Sequence, residues 1–361
     1  MIVVFRRFFV ELFRRMAHPF FPVMRRDVKN VSAKQMPSNR INPNLALVGD
    51  FGGTHVRLAL ADLSGEVPVI GEVRHYLSKD FPRAADTIAA YLKEVSERPT
   101  VAVIAVAGPV NDGAVHFTNL GWSLAERDLD ELGMRSARII NDFVAVALAT
   151  RLLDTVDIHE IGTGSADRRR NVAVMGPGTG FGASALVFEH DGHAVAMAAE
   201  GGHASFAPDD DLEIEVLRFL MRRHGHVSIE RVLSGPGLSN LHEALNALED
   251  VTDDARDPED ITRGALEGDG YALRTLRRFC AILGGVAGNL ALTYGAQGGV
   301  YIAGGIAPGI LPILDRSDFR RRFESKGRFA DYLRPIATRV IVRADAAFLG
   351  AAHAARILGR N

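Results

Sequence analysis

The stretch Leu45-Ala-Leu-Val-Gly-Asp50-Phe-Gly52-Gly53-Thr54-His-Val-Arg-Leu-Ala-Leu-Ala61 sets an acidic residue, two glycines and a threonine between two apolar runs. Residues 45 to 49 and 56 to 61 are short, rich in Leu and Val, and bounded by turn residues, which predicts a β-hairpin. Paired glycines allow positive φ and expose backbone N–H groups, the means by which a turn cradles phosphate oxygens. Asp50 then stands at the strand's end beside those phosphates, where a carboxylate repels them unless a divalent cation lies between. Thr54 adds a hydroxyl donor. Alone, the same letters describe an ordinary Gly-Gly hairpin with a solvated Asp.

A second stretch, Val172-Ala-Val-Met-Gly176-Pro-Gly178-Thr179-Gly180-Phe-Gly182-Ala-Ser-Ala-Leu-Val-Phe188, repeats the plan of strand, Gly-rich turn with Thr, and strand. Two such turns far apart in the chain predict a duplicated architecture, each half offering a phosphate-binding hairpin to one nucleotide. Neither turn is a P-loop, because no Gly-Lys-Ser/Thr follows and no helix begins there. Neither is a Rossmann fingerprint, which needs a helix after the glycines where this chain has a strand.

With 361 residues the chain is long enough for about two domains, and 47% hydrophobic residues supply sizeable cores. The net charge of −2 is unevenly spread: residues 1–44 hold nine Lys and Arg against Glu11 and Asp27. The remaining body is mildly acidic, which argues against nucleic acid as a partner. Cys280 is the one cysteine, so no internal disulfide forms and a Cys-based zinc site is excluded. A single thiol suits a reducing compartment.

Residues 1–44 are unlike the rest. Their apolar runs are too short to span a bilayer, arginines interrupt them, and no small-residue cleavage site follows. Two readings stand: a basic amphipathic helix touching an anionic membrane through residues 1–20, or upstream residues without a folded role. The second is favoured, because Met16, Met24 and Met36 offer later starts and the folded pattern begins at Leu45.

Between the hairpins the pattern predicts a third strand at 72–77 and a helix at 82–98, with Ala85, Ile88, Ala89, Leu92 and Val95 on one face. A buried strand at 101–107 follows, then a capping box, Ser123-Leu-Ala-Glu126, opening another helix. Three strands, a helix and a strand is the order of one half of an actin-like ATPase fold. Ala137-Arg-Ile-Ile-Asn141-Asp142-Phe-Val-Ala-Val-Ala-Leu reads as a strand running into a helix. The Asn-Asp pair therefore sits at the carboxyl end of a sheet, where α/β proteins bind ligands. By itself Asp142 could simply cap its helix; lying in sequence between two phosphate turns, it becomes a catalytic candidate.

Glu200-Gly-Gly-His203 follows a strand beyond the second hairpin. One His and one carboxylate make half a metal site, so recognition of sugar hydroxyls suits them better. Helices are expected at 210–224, 237–249 and 258–267, with Glu230 between the first two, and a long one at 271–294. Gly298-Gly-Val-Tyr-Ile-Ala-Gly304-Gly305-Ile306 reads as a buried strand whose final glycines let the backbone approach a flat ligand such as adenine. The last helix, 345–358, packs back on the first half.

In order, Gly49-Asp-Phe-Gly-Gly-Thr54, Ile140-Asn-Asp-Phe143, Gly176-Pro-Gly-Thr-Gly-Phe-Gly182, Glu200-Gly-Gly-His203, Glu230-Arg-Val-Leu-Ser-Gly-Pro-Gly237 and Ile302-Ala-Gly-Gly-Ile306 resemble the bacterial glucokinase family from Leu45 onward. The resemblance implies an α/β, two-domain actin-like (ribonuclease H-like) ATPase fold with the active site in the interdomain cleft. Residues 45–151 plus 340–361 form the small domain, 152–339 the large one, and 1–44 lie outside the fold. It implies a cytoplasmic homodimer that transfers the γ-phosphoryl group of ATP to the 6-hydroxyl of glucose with Mg²⁺, feeding glycolysis. On that basis Asp142 matches the catalytic base, while Asn141, Asp142, Glu200, His203 and Glu230 match the sugar contacts. Nucleotide binding falls to Asp50, Gly52, Gly53, Thr54, Gly176, Gly178, Thr179, Gly180, Gly304 and Gly305, with Asp50 on the Mg²⁺ directly or through water. His55 stands where the family's first turn commonly has Asn. No Cys-rich zinc motif follows His203, unlike many sister sugar kinases and repressors. A kinase for another hexose and a non-catalytic sugar-sensing regulator are the alternatives; against the regulator stand the intact Asp142 and the lack of a helix-turn-helix before Leu45.

Overall fold

A computed structural model describes residues 40–359 except 118, 119, 168, 253 and 254, and Asn39–Asn361 form one compact unit. The two readings of the arm concern residues 1–44, of which 1–39 lie outside the described residues. Two sheets carry the unit. The first runs Ser136–Asn141, Val101–Val106, Leu45–Phe51, His55–Asp62 and Val69–Ile70, with Arg74–Leu77 also paired to His55–Asp62. The second runs Ile158–Ile161, Thr338–Ile341, Val300–Ile302, Val172–Pro177, Phe181–Phe188 and Ala194–Ala199.

In each sheet an antiparallel meander holds the Gly-rich turn, and two strands parallel to its first strand extend it on the far side. This repeat is the duplicated plan that the two turns predicted. Leu45–Phe51 and Val101–Val106 are buried along nearly their whole length, as strands with parallel neighbours and helices on both faces must be.

On one face of the first sheet, helix Ala84–Glu94 packs Ile88, Tyr91 and Leu92 with Leu47, Leu58 and Ile104. The carboxyl-terminal helix Ala346–Leu358 covers the other face, with Phe348, Ala351, Ala352 and Ala355 against Ala46, Val48 and Val103, as expected. Helix Asp142–Ala149 leaves the end of the first sheet and packs Val146 and Ala147 with Val172, Val174 and Leu186 of the second. Its first residue is thereby set between the two halves. The long helix Gly270–Tyr294 covers the opposite face of the second sheet with Phe279, Leu283 and Val286. It also holds Cys280, whose thiol burial pushes up to about 12 and so leaves without nucleophilic character.

Two local expectations are corrected. The helix expected over 82–98 stops at Glu94, and Glu97–Arg98 instead pair in parallel with Arg40–Ile41. Ordered structure thus begins ahead of Leu45, and backbone pairing with no apolar face gives such a strand no periodic signal. Ser123 does not open a helix; it lies in Trp122–Ala125, which forms a hairpin with Ala114–Phe117. Helix Glu126–Glu131 is capped instead by Asp128, whose Oδ2 accepts the Ala125 N–H at 2.8 Å. The strand Thr338–Ile341 belongs to the second sheet, paired in parallel with Val300–Ile302.

Candidate active site

Strand Ser136–Asn141 runs parallel to Val101–Val106 and ends with Asn141 opposite Val106. The side-chain oxygen of Asn141 accepts from the N–H groups of Phe143 at 2.9 Å and Val144 at 3.3 Å, capping helix Asp142–Ala149. Such a cap contributes about 1 kcal/mol. Its amide also donates to the Gly108 carbonyl at 3.2 Å, which leaves one N–H for a ligand. Asn141 is therefore the cap, while Asp142 Oδ1 also accepts the Phe143 N–H at 2.9 Å.

Burial first, and the Asp50 charge second, push the Asp142 carboxyl up to about 7; Glu200 adds to this, while the Phe143 N–H bond opposes it. Asp50, Asp142 and Glu200 come from three separate segments, and the effect of the other two charges on Asp142 shows that the fold gathers them. A carboxyl poised near neutrality can take a proton from a hydroxyl and give it up again.

In the first turn the Gly52 N–H donates to the His55 carbonyl at 3.0 Å, and Thr54 and His55 are exposed. Nothing lies within 4 Å of the side-chain position at Gly53, so the turn presents bare backbone. His55 pairs through its backbone with Leu77, so its identity leaves the hairpin intact. Asp50 faces Arg57 across the hairpin, and the Arg57 Nε donates to its Oδ2 at 3.0 Å, with a second bond from Nη2. The same guanidinium lies 5.4 Å above the Phe348 ring of the carboxyl-terminal helix. Sequence reasoning passed over Arg57, although a hairpin that closes between Gly52 and His55 sets positions 50 and 57 opposite each other.

The second turn closes with Gly178 N–H to Gly180 carbonyl at 2.8 Å, and Thr179 is exposed. None of Gly52, Gly53, Gly176, Gly178, Gly180 and Gly182 has a positive φ, so the turns do not use the freedom that glycine allows. At Gly176, Gly180 and Gly182 the requirement is space. A Cβ on Gly182 would stand 1.9 Å from the Phe143 ring, and one on Gly180 would stand 2.5 Å from Glu230 Oε2. Gly176 and Gly304 pack backbone on backbone, their side-chain positions 2.4 Å from the Ala303 carbonyl and 2.3 Å from the Pro177 carbonyl. The close approach expected of adenine at Gly304 is thus taken by the chain itself, whereas Gly305 has no neighbour within 4 Å.

Glu200 follows strand Ala194–Ala199, and its carbonyl accepts the His203 N–H at 3.0 Å; both side chains are exposed. Glu230 is half-buried in the single turn Ile229–Arg231, and its Oε2 accepts the Phe181 N–H at 2.8 Å. A bridge between Ser205 and Ser228, with Ile229 N–H donating to the Ala204 carbonyl at 2.9 Å, sets these two segments side by side. Gly202 lies against the Phe181 carbonyl. Phe181 and Gly182 are therefore the meeting point of Phe143, Gly202 and Glu230, a role that no motif reading singled out.

Among the described residues no group of three His, Cys, Asp or Glu could hold a metal ion. Asp50 offers one carboxylate, which fits a divalent cation that arrives with phosphates and keeps most of its waters.

The glucokinase family model matches residues 47–357. The glucokinase of Caulobacter sp. (strain K31) is 48% identical over 318 residues, 88% of this chain and 96% of that protein. That of Stenotrophomonas maltophilia (strain K279a) is 39% identical, covering 86% of this chain and 95% of its own. The solved glucokinase from an Antarctic psychrotroph has a TM-score of 0.80 at 37% identity, over 88% of this chain and 100% of that one. A ROK-family glucokinase from Streptomyces griseus, solved with glucose and AMPPNP, shares the fold with a TM-score of 0.60 at 22% identity, over 87% and 99% of the two chains. These likenesses bear out the actin-like kinase fold expected from the sequence. The chain belongs to the glucokinase family, and its reaction is the ATP-dependent phosphorylation of glucose.

Proposed function

We propose that Asp142 is the general base of this reaction. As the 6-hydroxyl oxygen attacks the γ-phosphorus and the bond to the β-phosphate oxygen breaks, the hydroxyl proton passes to the Asp142 carboxylate, and ADP leaves. A base of this kind contributes about 10²- to 10⁴-fold. The observation that carries the assignment is a carboxyl raised to about 7 at the junction of the two halves, held there by the Asn141 cap. The spare N–H of Asn141 and the side chains of Glu200, His203 and Glu230 hold the sugar hydroxyls.

The N–H groups of Gly52, Gly53 and Thr54 and of Gly178, Thr179 and Gly180, with the two threonine hydroxyls, take the phosphates. Gly305 leaves room beside the nucleotide base, and Gly176 and Gly304 brace the strands beneath it. Mg²⁺ supplies positive charge to the phosphates when bound, and Asp50 holds it directly or through water. Positioning supplies much of the remaining rate.

The small domain comprises residues 45–151 and the carboxyl-terminal helix, the large domain the segment between, and the site lies in their cleft. The family resemblance supports a cytoplasmic homodimer; among the described residues no helix is long and apolar enough to cross a membrane. Coupled ADP release across a panel of hexoses with MgATP tests the assignment. Glucose gives the highest kcat/KM, and Glu200→Gln or His203→Ala raises the glucose KM strongly with little effect on that of ATP. Movement of the ATP constant alone would remove these residues from the sugar site.

A further inference from the structure

We propose that Glu230 is a positioning residue for the nucleotide as well as a sugar contact, so that glucose bound on one carboxylate oxygen sets the second phosphate turn through the other. The inference rests on the sugar-site reading above. It begins from a bond that occupies one oxygen of the carboxylate: Oε2 accepts the Phe181 N–H at 2.8 Å. Gly180 leaves room for it, since a Cβ there would stand 2.5 Å from the same oxygen.

The segment that carries Glu230 grips the turn a second time, because the Gly235 N–H donates to the Gly178 carbonyl at 2.8 Å. Between these two points Ser234 is itself fixed. Its hydroxyl donates to the Glu230 carbonyl at 2.8 Å and accepts the Gly237 N–H at 3.0 Å, capping helix Gly235–Leu248. Residues 230–235 therefore span Gly178 to Phe181 as a clamp whose one adjustable part is the Glu230 side chain. On its other flank the clamp joins the Glu200–His203 segment through Ile229 and Ala204, bonded at 2.9 Å.

A carboxylate has about four acceptor sites. Among the described residues Oε2 takes the Phe181 N–H, and Oε1 has no hydrogen-bond partner. A hydroxyl donated to Oε1 fixes the rotation of the carboxylate and draws its negative charge away from the turn where phosphates are to lie. Both effects favour nucleotide after sugar, and by linkage sugar after nucleotide. Arrangements of this kind give coupling factors of about 5-fold or more.

Calorimetric titration of the full chain with AMPPNP, with and without saturating glucose, measures the coupling as a ratio of two dissociation constants. The wild-type ratio is about 5 or more; in Glu230→Gln the amide oxygen still accepts the Phe181 N–H, but a neutral NH₂ donor stands in place of Oε1, so the ratio falls. Gly180→Ala, which forces the carboxylate off that N–H while leaving it for the sugar, brings the ratio to near 1 although glucose still binds. Since each ratio is taken within one variant, a general weakening of nucleotide binding cancels. A wild-type ratio near 1, or a Gly180→Ala ratio equal to the wild type's, would overturn the proposal. Unchanged glucose affinity in Glu230→Ala would instead overturn the sugar-site reading on which it rests, and the two failures are read from different titrations.

Discussion

The ring of Phe143 fills the space that a side chain at Gly182 would occupy, 1.9 Å from the Cβ position. Phe143 follows Asp142 at the start of its helix, and Gly182 follows the second phosphate turn, so this contact ties the base to the nucleotide side. Gly182→Ala is compatible with the backbone, which has no positive φ there, but it displaces the ring and with it Asp142. The expected fall in kcat is about 10²-fold, the usual effect of misplacing a reacting group by about an ångström. The double variant Gly182→Ala, Phe143→Leu recovers part of the loss. A wild-type kcat in the single variant would show that the contact does not position the base.

The reaction's pH dependence follows from the same carboxyl. A base must be ionised, so kcat/KM for glucose rises about tenfold per pH unit below about 7 and levels above it. The Asp50 charge is the second cause of the raised value, which makes the shift adjustable. Asp50→Asn lowers the Asp142 midpoint. Arg57→Ala removes the partner that offsets the Asp50 charge and raises it. Carbon-13 titration of the Asp142 carboxyl in the free enzyme reads both; unchanged midpoints would show that the Asp50 charge does not set the shift.

Asp142 also costs the fold stability, and the sign can be worked out. Its folded-state pKa, about 7, lies above the ordinary 3.8, so its charge disfavours the folded chain. The penalty is absent below about 3.8, grows with pH, and is complete above about 7. Asp142→Asn therefore raises Tm at pH 8 by about 2 °C or more, and by less at pH 5. The same variant loses about 10²-fold in kcat while its glucose affinity stays near wild type. A lower Tm at pH 8 would show that some partner stabilises the carboxylate by more than burial and the Asp50 charge cost it.

What the sequence made legible was whatever repeats or alternates. The two hairpins, the strand ending at Asn141 and the helices at 211–224 and 270–294 all carry continuous apolar patterns, and all lie within a few residues of their expected positions. Illegible were features fixed by contacts between distant segments. Glycines 180 and 182 read as turn-formers because their letters cannot reveal that Glu230 and Phe143 fill the adjoining space. Arg57 went unread, although its charge balances Asp50 across the hairpin. The hairpin of Ala114–Phe117 and Trp122–Ala125 was hidden because Ser123 and Glu126 imitate a helix start.

The amino-terminal boundary gives the last test. Asn42 sits between the pair Arg40–Ile41 and the first long strand, and four hydrogen bonds converge on it. Its amide donates to Glu97 at 3.1 Å, its side-chain oxygen accepts the Asn44 N–H at 3.1 Å, its N–H donates to the Arg98 carbonyl at 3.1 Å, and its carbonyl accepts the Leu45 N–H at 3.1 Å. These bonds fix how the chain enters the strand that ends at Asp50. A chain beginning at Met36 retains them all, and its Tm and glucose phosphorylation equal those of the full chain. A chain beginning at Asn44 loses the bonds made by Asn42 and the parallel pairing, and melts lower by several degrees, at about 1 kcal/mol per hydrogen bond and about 2–4 °C per kcal/mol. Asn42→Ala in the full chain, which removes only the two side-chain bonds, falls between them. Thermal unfolding of the three proteins decides the matter: equal melting for the Met36 and Asn44 chains would place the start of the fold at Leu45 after all, and lowered melting of the Met36 chain would place it earlier than Arg40.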